Sequence, residues 1–248
     1  MDPGGKPWIL APGEDLPSSA RRRRHAPIAE LLSGPADTFA GAPLLEARAL
    51  ECVRDERTLF CDLSFSVSPG EVLQIEGDNG TGKTSLLRIL SGLAQPESGE
   101  IRWRGRPVRQ VRSEYFTNLA YLGHAHGVKL ELDPVENLRV ARALKRPQTD
   151  VELESALAAV GLAGFEDVPA RMLSAGQCRR VALARLLVTR ARVWVLDEPF
   201  TAIDRRGVRD IEALLTRHTG AGGVALLTTH HTARLERCKV VNLRLGGS

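Results

Sequence analysis

Cysteine is scarce in this 248-residue chain, and the residues that occur are far apart. Cys52, Cys61, Cys178 and Cys238 form no CxxC pair, so their spacing indicates no zinc site, no haem-attachment site and no disulfide framework. This cysteine usage fits a reducing cytoplasm.

Long apolar runs are also missing from the sequence. No stretch approaches the roughly 20 apolar residues that a helix needs to cross a bilayer, so we do not expect the chain to form a channel by itself. The run Arg21 to Arg24 is followed by Pro27, Glu30 and Gly34 rather than by an uninterrupted apolar stretch, which argues against an export signal.

Aromatic residues make up only 4% of the chain, and its net charge is only +4. Because the basic residues are scattered and few rings are available to stack on bases, the composition does not favour a nucleic-acid partner. Hydrophobic residues, in contrast, reach 43% and can fill a substantial core. This hydrophobic content argues against disorder throughout the chain.

The first 43 residues differ in composition from the rest. They carry many Pro, Gly, Ser and Ala residues without a sustained helical or strand period, so we predict a flexible, disordered extension over residues 1–43. A misassigned start codon explains this extension as well as a functional tail does. From Leu44 onward, short apolar runs alternate with helical patterns, which predicts an α/β fold with a largely parallel sheet covered by helices.

The hydrophobic patterns place three buried strands and four helices in this region. The predicted strands are Val72 to Ile75, Val193 to Leu196 and Val224 to Leu227. The predicted helices are one with Leu86, Ile89, Leu90 and Leu93 at helical spacing, two inserted helices over Pro134 to Leu144 and Val151 to Val160, and one over Ala175 to Val188.

The segment GDNGTGKT fits the pattern G-x-x-x-x-G-K-[ST] and lies between a predicted strand and a predicted helix. Its glycines allow backbone N–H groups to turn toward phosphate oxygens at a helix N-terminus. Lys83 supplies a cation for the β- and γ-phosphates, and Thr84 a hydroxyl for Mg²⁺. The alternative is a turn that binds nothing, and the loop alone does not separate kinases, GTPases and motor ATPases. The predicted phosphate-binding residues are Gly77, Asp78, Asn79, Gly80, Thr81, Gly82, Lys83 and Thr84.

An acidic pair, Asp197 and Glu198, directly follows the predicted strand that ends at Leu196. The carboxyl end of a buried parallel strand is expected near the phosphates, so Asp197 is a candidate for orienting Mg²⁺ or its water. Glu198 can align, or accept a proton from, the water that attacks the γ-phosphate. The alternative is that both carboxylates merely cap the following turn.

The signature segment LSAGQ, from Leu173 to Gln177, immediately precedes a predicted helix. Ser174 and the backbone around Gly176 therefore lie at a second helix N-terminus, where an anion can bind. Taken alone, such a stretch is more often a plain helix cap.

The phosphate loop, LSAGQ, the acidic pair, Ala202-Ile203-Asp204 and His230 occur in an order that resembles the ATP-binding subunit of ABC transporters. The resemblance implies a P-loop NTPase core over residues 44–248, with a small antiparallel β region and an inserted helical subdomain at about residues 125–180. It also implies ATP and Mg²⁺ as cofactors, and a head-to-tail homodimer. In that dimer Asp204 would connect the two sites and His230 would bind the γ-phosphate. The residues that would contact ATP across the interface are Ser174, Ala175, Gly176 and Gln177.

Three positions depart from the general pattern of that family. His124 replaces the glutamine that usually lies near Mg²⁺ and the membrane partner, and Ala175 replaces the first glycine of the signature. Arg54 or Asp55 stands where an aromatic residue usually stacks on adenine, so adenine selectivity stays open, although a guanidinium plane can also stack.

The histidines allow other interpretations when the family is set aside. His124 and His126 invite a metal or haem interpretation, but two ligands do not make a site. His230 and His231 could equally be a structural pair or a metal clip.

Several longer segments are similar to the ATP-binding subunits of the haem exporter family, which serve cytochrome c biogenesis; they are DERTLF, QIEGDNGTGKTSLLRILSGL, LGHAHGVK, GLAGFEDVPARMLSAGQ, DEPFTAID and GGVALLTTHH. This resemblance implies a peripheral subunit at the cytoplasmic face of the bacterial inner membrane. Its partners would be two integral membrane subunits of the CcmB type and further cytochrome c maturation proteins. ATP hydrolysis would drive haem export or release a haem-loaded chaperone, although the residues indicate no direct haem site.

Three other functions are open at this stage. One is an ABC exporter for another substrate, and another is a soluble ABC ATPase that acts on nucleic acid. The third is a binding module with dead catalysis, against which Lys83, Asp197, Glu198 and His230 speak.

Overall fold

The computed structural model describes residues 42–123, 127–143, 150–201, 203–229, 235 and 238–246, and they form two β-sheets and a set of helices. The strands are β1 Leu45–Arg54, β2 Arg57–Val67, β3 Glu71–Glu76, β4 Ser98–Trp103, β5 Arg106–Pro107, β6 Leu119–Leu122, β7 Val193–Leu196, β8 Val224–Thr228 and β9 Lys239–Arg244. The α-helices are α1 Lys83–Leu90, α2 Arg112–Thr117, α3 Pro134–Ala143, α4 Asp150–Ala159, α5 Ala175–Thr189 and α6 Arg205–Gly220. Short 3₁₀ turns occupy Val108–Gln110 and Ala170–Met172.

The first sheet is antiparallel, with strand order β2-β1-β4-β5. A tight turn joins β1 to β2, and its two central residues, Asp55 and Glu56, have φ of +50° and +60°. Positive φ at both central positions suits the right-handed twist of a hairpin. Arg54 and Arg57 face each other across the turn, so this hairpin end carries two cations.

The second sheet has strand order β6-β7-β8-β3-β9, and each neighbouring pair is parallel. The three predicted strands are confirmed, with β3 and β8 slightly longer than predicted. Because the strands run the same way, the loops that follow β3, β7 and β8 leave the sheet at one edge. That edge is where the phosphate loop and the acidic pair lie.

The parallel sheet divides the hydrophobic core into two parts. In β7, Trp194 and Leu196 pack on one side with the helices α3 to α6, and Val193 and Val195 pack on the other side with α1 and the antiparallel sheet. This alternation follows from the two-residue period of a strand. Both faces are buried, which explains why β7 is a continuous apolar run.

The predicted helices are confirmed with small changes at their ends. The inserted pair α3 and α4 packs against α5, and their apolar residues include the fully buried Leu138, Leu153 and Leu157. In the described part of the chain, none of the helices combines the length and the apolarity that crossing a membrane requires.

The helix after the phosphate loop ends earlier than the spacing of its leucines predicts. Gly92 has φ of +68°, its N–H bonds the Ile89 carbonyl, and the Leu93 N–H bonds the Arg88 carbonyl. This pattern closes a helix with a glycine in the left-handed conformation. Leu93 therefore lies beyond the helix and is 57% exposed, so its prediction as a residue of this helix was wrong.

His218 on α6 is buried beneath the parallel sheet. Its ring stacks on Trp194 with centroids 3.9 Å apart and 7° between the planes, and Nε2 lies 3.1 Å from the Val224 carbonyl oxygen. Burial lowers the pKa of His218 from 6.5 to about 4. The folded chain therefore holds this imidazole neutral.

Acid is expected to weaken the fold through His218. Since the folded pKa lies below the unfolded one, this contribution is complete above pH 6.5 and is lost as the pH falls toward 4. At about pH 5 the loss should be about 2 kcal/mol of the free energy of unfolding. Urea unfolding at about pH 7.5 and about pH 5 measures it, with His218→Phe as a control that keeps a ring against Trp194. Equal pH dependence in both proteins would contradict the expectation.

Candidate nucleotide site

The phosphate loop, Gly77 to Thr84, connects β3 to α1 and depends on two close approaches of its backbone. Gly82 precedes α1 with φ of +97°, and a Cβ there would lie 3.0 Å from Leu59 Cβ and 3.2 Å from the Phe60 ring. At Gly77, with φ of +147°, a Cβ would lie 2.6 Å from the Leu245 carbonyl oxygen. Glycine is therefore required at both positions to bring β2, β9 and the loop together.

Lys83 holds the loop from inside. Its ammonium donates to the Gly77 carbonyl at 2.6 Å and to the Asp78 carbonyl at 2.9 Å, and the residue is only 8% exposed. The Thr81 hydroxyl donates to the same Asp78 carbonyl at 2.9 Å. The positive charge of Lys83 therefore lies at the first turn of α1, where the helix dipole is also positive.

Asp197 lies at the end of β7 and is buried. Its Oδ1 accepts a hydrogen bond from the Thr228 hydroxyl at 2.8 Å and lies 3.5 Å from the Thr84 hydroxyl. Burial and the Asp197 carboxylate also raise the pKa of Tyr121, on the neighbouring strand β6. The fold thus brings Thr84 and Asp197 together from two different strand ends.

A hydroxyl beside a carboxylate fits Mg²⁺, which is held by few protein oxygens and by substrate phosphates. Among the described residues, three or more His, Cys, Asp or Glu side chains do not come together as a metal cluster. Among the described residues, Thr84 and Asp197 are a pair whose oxygens would fit this ion. His124, the third predicted metal ligand, lies outside the described residues.

Glu198 has an unusual backbone for a non-glycine residue, with φ of +48°. Its N–H donates to the Thr228 hydroxyl at 2.9 Å, and its carbonyl accepts from Arg179 at 2.7 Å. Its carboxylate accepts from the Thr201 hydroxyl at 2.9 Å, so it contacts the following turn, as the capping alternative expects. The same residue also lines the cleft at the phosphate loop.

That cleft has a volume of about 300 Å³. It lies between the edge of the antiparallel sheet and the phosphate loop, and Glu198 of the acidic pair also lines it. Its lining residues are Arg54, Leu59, Asn79, Gly80, Gly82, Lys83, Thr84, Ser85 and Glu198. Of the two candidates for the position of the adenine-stacking aromatic, Arg54 is the one that lines the cleft, and its side chain is 64% exposed.

The signature segment lies elsewhere in the chain. Ser174 caps α5: its hydroxyl accepts from the Gln177 N–H at 3.2 Å, and the Gln177 side chain accepts from the Ser174 N–H at 2.8 Å. This capping box matches the plain-cap alternative. A Cβ at Gly176 would meet nothing within 4 Å, so the backbone there is open to a ligand or to another chain.

A second cavity, of about 330 Å³, lies between the first turns of α5 and α6. Ser174, Gly176 and Gln177 line it from one side, and Asp204, which caps α6 through the Gly207 N–H at 2.8 Å, lines it from the other. The described lining residues of the two cavities do not overlap. Within one copy of the chain, the signature and the phosphate loop therefore line different cavities. His230 lies outside the described residues.

Two residues at the site, Thr228 and Arg179, were not predicted from the sequence. Thr228 had one available signal, because it is a polar residue at the carboxyl end of a parallel strand. No sequence signal distinguishes Arg179, since it is one of two adjacent arginines near the start of a helix.

Known proteins resemble this chain over most of its length. The ABC transporter family matches residues 60–201. The cytochrome c biogenesis ATP-binding export protein CcmA of Methylococcus capsulatus is 53% identical over 207 residues, which cover 83% of this chain and 100% of that protein. CcmA of Escherichia coli is 50% identical over 202 residues, covering 82% and 96%.

Solved structures support the same fold. A putative ABC transporter ATP-binding protein from Pyrococcus furiosus superposes with a TM-score of 0.70 at 27% identity, covering 81% of this chain and 96% of that one. The predicted P-loop NTPase core of the ABC type is confirmed. The chain therefore belongs to the ATP-binding proteins of the ABC transporter family, and within them to the CcmA-type cytochrome c biogenesis proteins.

Proposed function

We propose that this chain is the ATP-hydrolysing subunit of a CcmAB-type ABC complex for c-type cytochrome biogenesis. It acts at the cytoplasmic face of the bacterial inner membrane and couples ATP hydrolysis to haem export or to release of a haem-loaded chaperone. The observation that carries this proposal is the cleft in which Lys83, Thr84 and Glu198 converge. The chain matches the two CcmA relatives over almost their whole length, and the names of these relatives support the cellular role.

The reaction follows from the positions of these side chains. The loop N–H groups and Lys83 bind the β- and γ-phosphates. Thr84 and Asp197 would hold Mg²⁺, which would offset negative charge on the terminal phosphates. Glu198 orients a water and accepts its proton as the water oxygen bonds to the γ-phosphorus and the bond to the bridging oxygen breaks. The products are ADP and inorganic phosphate.

A second copy of the chain completes the site. Ser174, Ala175, Gly176 and Gln177 close over the γ-phosphate that the partner binds, with the positive end of α5 directed at it. The separation of the two cavities within one chain supports this arrangement. By resemblance to the family, Asp204 would connect the two sites and His230 would bind the γ-phosphate. His124 would stand in place of the family's glutamine.

Arg54 serves as the stacking platform for the base. Its position on the cleft rim, beside Leu59, supports this role. Guanidinium planes stack on aromatic rings, and stacking alone discriminates weakly among bases.

Purification of the native complex from membranes tests the cellular role. We expect the chain to co-purify with a CcmB-like integral membrane protein, as two copies of each, and with ATPase activity. A drug- or sugar-exporting partner would instead support an ABC exporter for another substrate. Salt-sensitive binding of nucleic acid, without any membrane protein, would contradict the proposal.

A further inference from the structure

Arg179 is a buried cation on the helix that follows the signature segment. It lies in the second turn of α5 and is only 4% exposed. Arginine is almost never buried this deeply unless its charge and its donors are matched by partners. One of its partners is the backbone of Glu198, in the acidic pair.

The contact is made with the backbone of Glu198. Arg179 donates to the Glu198 carbonyl at 2.7 Å, and the Thr201 N–H donates to the same carbonyl at 3.2 Å. Glu198 has φ of +48°, a conformation that residues with a side chain adopt only when their surroundings impose it. Arg179 therefore holds the carbonyl of a residue whose backbone conformation is uncommon.

The peptide group that precedes Glu198 is held from the parallel sheet. The Glu198 N–H donates to the Thr228 hydroxyl, and that hydroxyl donates in turn to Asp197 Oδ1. A continuous series of hydrogen bonds thus runs from α5 to Asp197, which lies beside Thr84 of the phosphate loop.

Charge favours the same arrangement. Burial lowers the pKa of Arg179, while the carboxylates of Asp197 and Glu198 oppose that change. A guanidinium cation beneath two carboxylates offsets their mutual repulsion. The buried cation and the two carboxylates therefore attract each other at this contact.

We propose that Arg179 is a positioning residue that fixes the Glu198 backbone to the signature helix. The proposal rests on the proposed function, in which Ser174 and Gln177 of the same helix close on the nucleotide of a second copy. A shift of α5 during that closure is transmitted through Arg179 to the carbonyl of Glu198. Engagement of the signature with one nucleotide is thereby coupled to alignment of the catalytic carboxylate at the other.

The test compares variants of the full-length chain in its purified complex. Arg179→Met removes the donor and the charge at similar length, and Arg179→Lys keeps a charge and one mobile donor. Arg190→Met is the matched control, because Arg190 lies at the far end of the same helix and pairs with Glu152 at 3.0 Å. The measured quantities are kcat from phosphate release, the Kd of a fluorescent ATP analogue and the melting temperature.

We expect Arg179→Met to lower kcat about tenfold or more while the Kd stays within about twofold of wild type. Arg179→Lys should recover part of kcat yet stay about threefold below wild type, because an ammonium does not reproduce the guanidinium fork. Arg190→Met should match wild type. In a Glu198→Gln background, Arg179→Met should not lower the residual rate further, since its effect passes through Glu198.

Three results would overturn the inference: wild-type kcat in a folded Arg179 variant, a Kd that rises as much as kcat falls, or additive losses in the double variant. If Arg179→Met does not fold, Arg179→Lys decides by the same criteria of kcat and Kd. Absence of ATP turnover in the wild-type complex would instead refute the proposed function. The two failures are therefore distinguishable.

Discussion

Glu198→Gln is expected to bind ATP as the wild type does and to lose about 100-fold or more of the hydrolysis rate. Glutamine keeps the size of the side chain but cannot accept a proton from the attacking water. The contacts of the Glu198 backbone with Thr228 and Arg179 do not involve the carboxylate, so the local fold should persist. Because the signature of the second copy closes over the γ-phosphate in the proposed mechanism, a variant that keeps this phosphate should accumulate as a dimer with two bound nucleotides.

Phosphate release, nucleotide stoichiometry and size-exclusion chromatography with ATP and Mg²⁺ check this expectation. Glu97→Gln is the matched control, since it makes the same chemical change at an exposed position. Undiminished turnover in Glu198→Gln would remove Glu198 from the catalytic role. Turnover lost together with nucleotide binding would show that the carboxylate maintains the cleft rather than activating water.

The parts of the site that are local in sequence were predictable. The phosphate loop lies between a strand and a helix only a few residues away, so its pattern and its context can be read together. The acidic pair ends a fully apolar strand, and Val193 to Leu196 was predicted with the observed bounds. In both cases a short-range pattern determines the local structure and its direction.

The parts that depend on strand order were not predictable. The order β6-β7-β8-β3-β9 inserts β8 between the strand of the phosphate loop and the strand of the acidic pair, and this places Thr228 against Asp197 and Glu198. Hydrophobic patterns identify buried strands without ordering them. The contact of Arg179 with Glu198 joins residues on a helix and a loop that no local pattern relates.

The left-handed backbone of Glu198 illustrates the same limit. Sequence rules associate positive φ with Gly, Asn or Asp, so a glutamate directly before Pro199 gives no signal for it. The antiparallel β region was likewise implied by the family rather than by periodicity. Long-range contacts at this site override local preference, as is common at functional sites.

Lys83→Ala is expected to weaken ATP binding about 100-fold or more, and so to abolish turnover at ordinary ATP concentrations. The ammonium is buried within the loop and bonds the carbonyls of Gly77 and Asp78. Its removal therefore deletes a cation from the phosphate site, and the two carbonyls lose their hydrogen bonds from the ammonium. Glu198→Gln should lose chemistry and keep binding, whereas Lys83→Ala should lose binding itself.

Titration with a fluorescent ATP analogue measures this loss, with Lys129→Ala as the control at an exposed lysine. Lys83→Arg should not restore binding, because the larger guanidinium does not fit a position that is only 8% exposed within the loop. A Kd within about threefold of wild type in Lys83→Ala would contradict the assigned role. Normal binding in Lys83→Arg would show that charge alone is recognised, and that the fit of the ammonium between the two carbonyls is not needed.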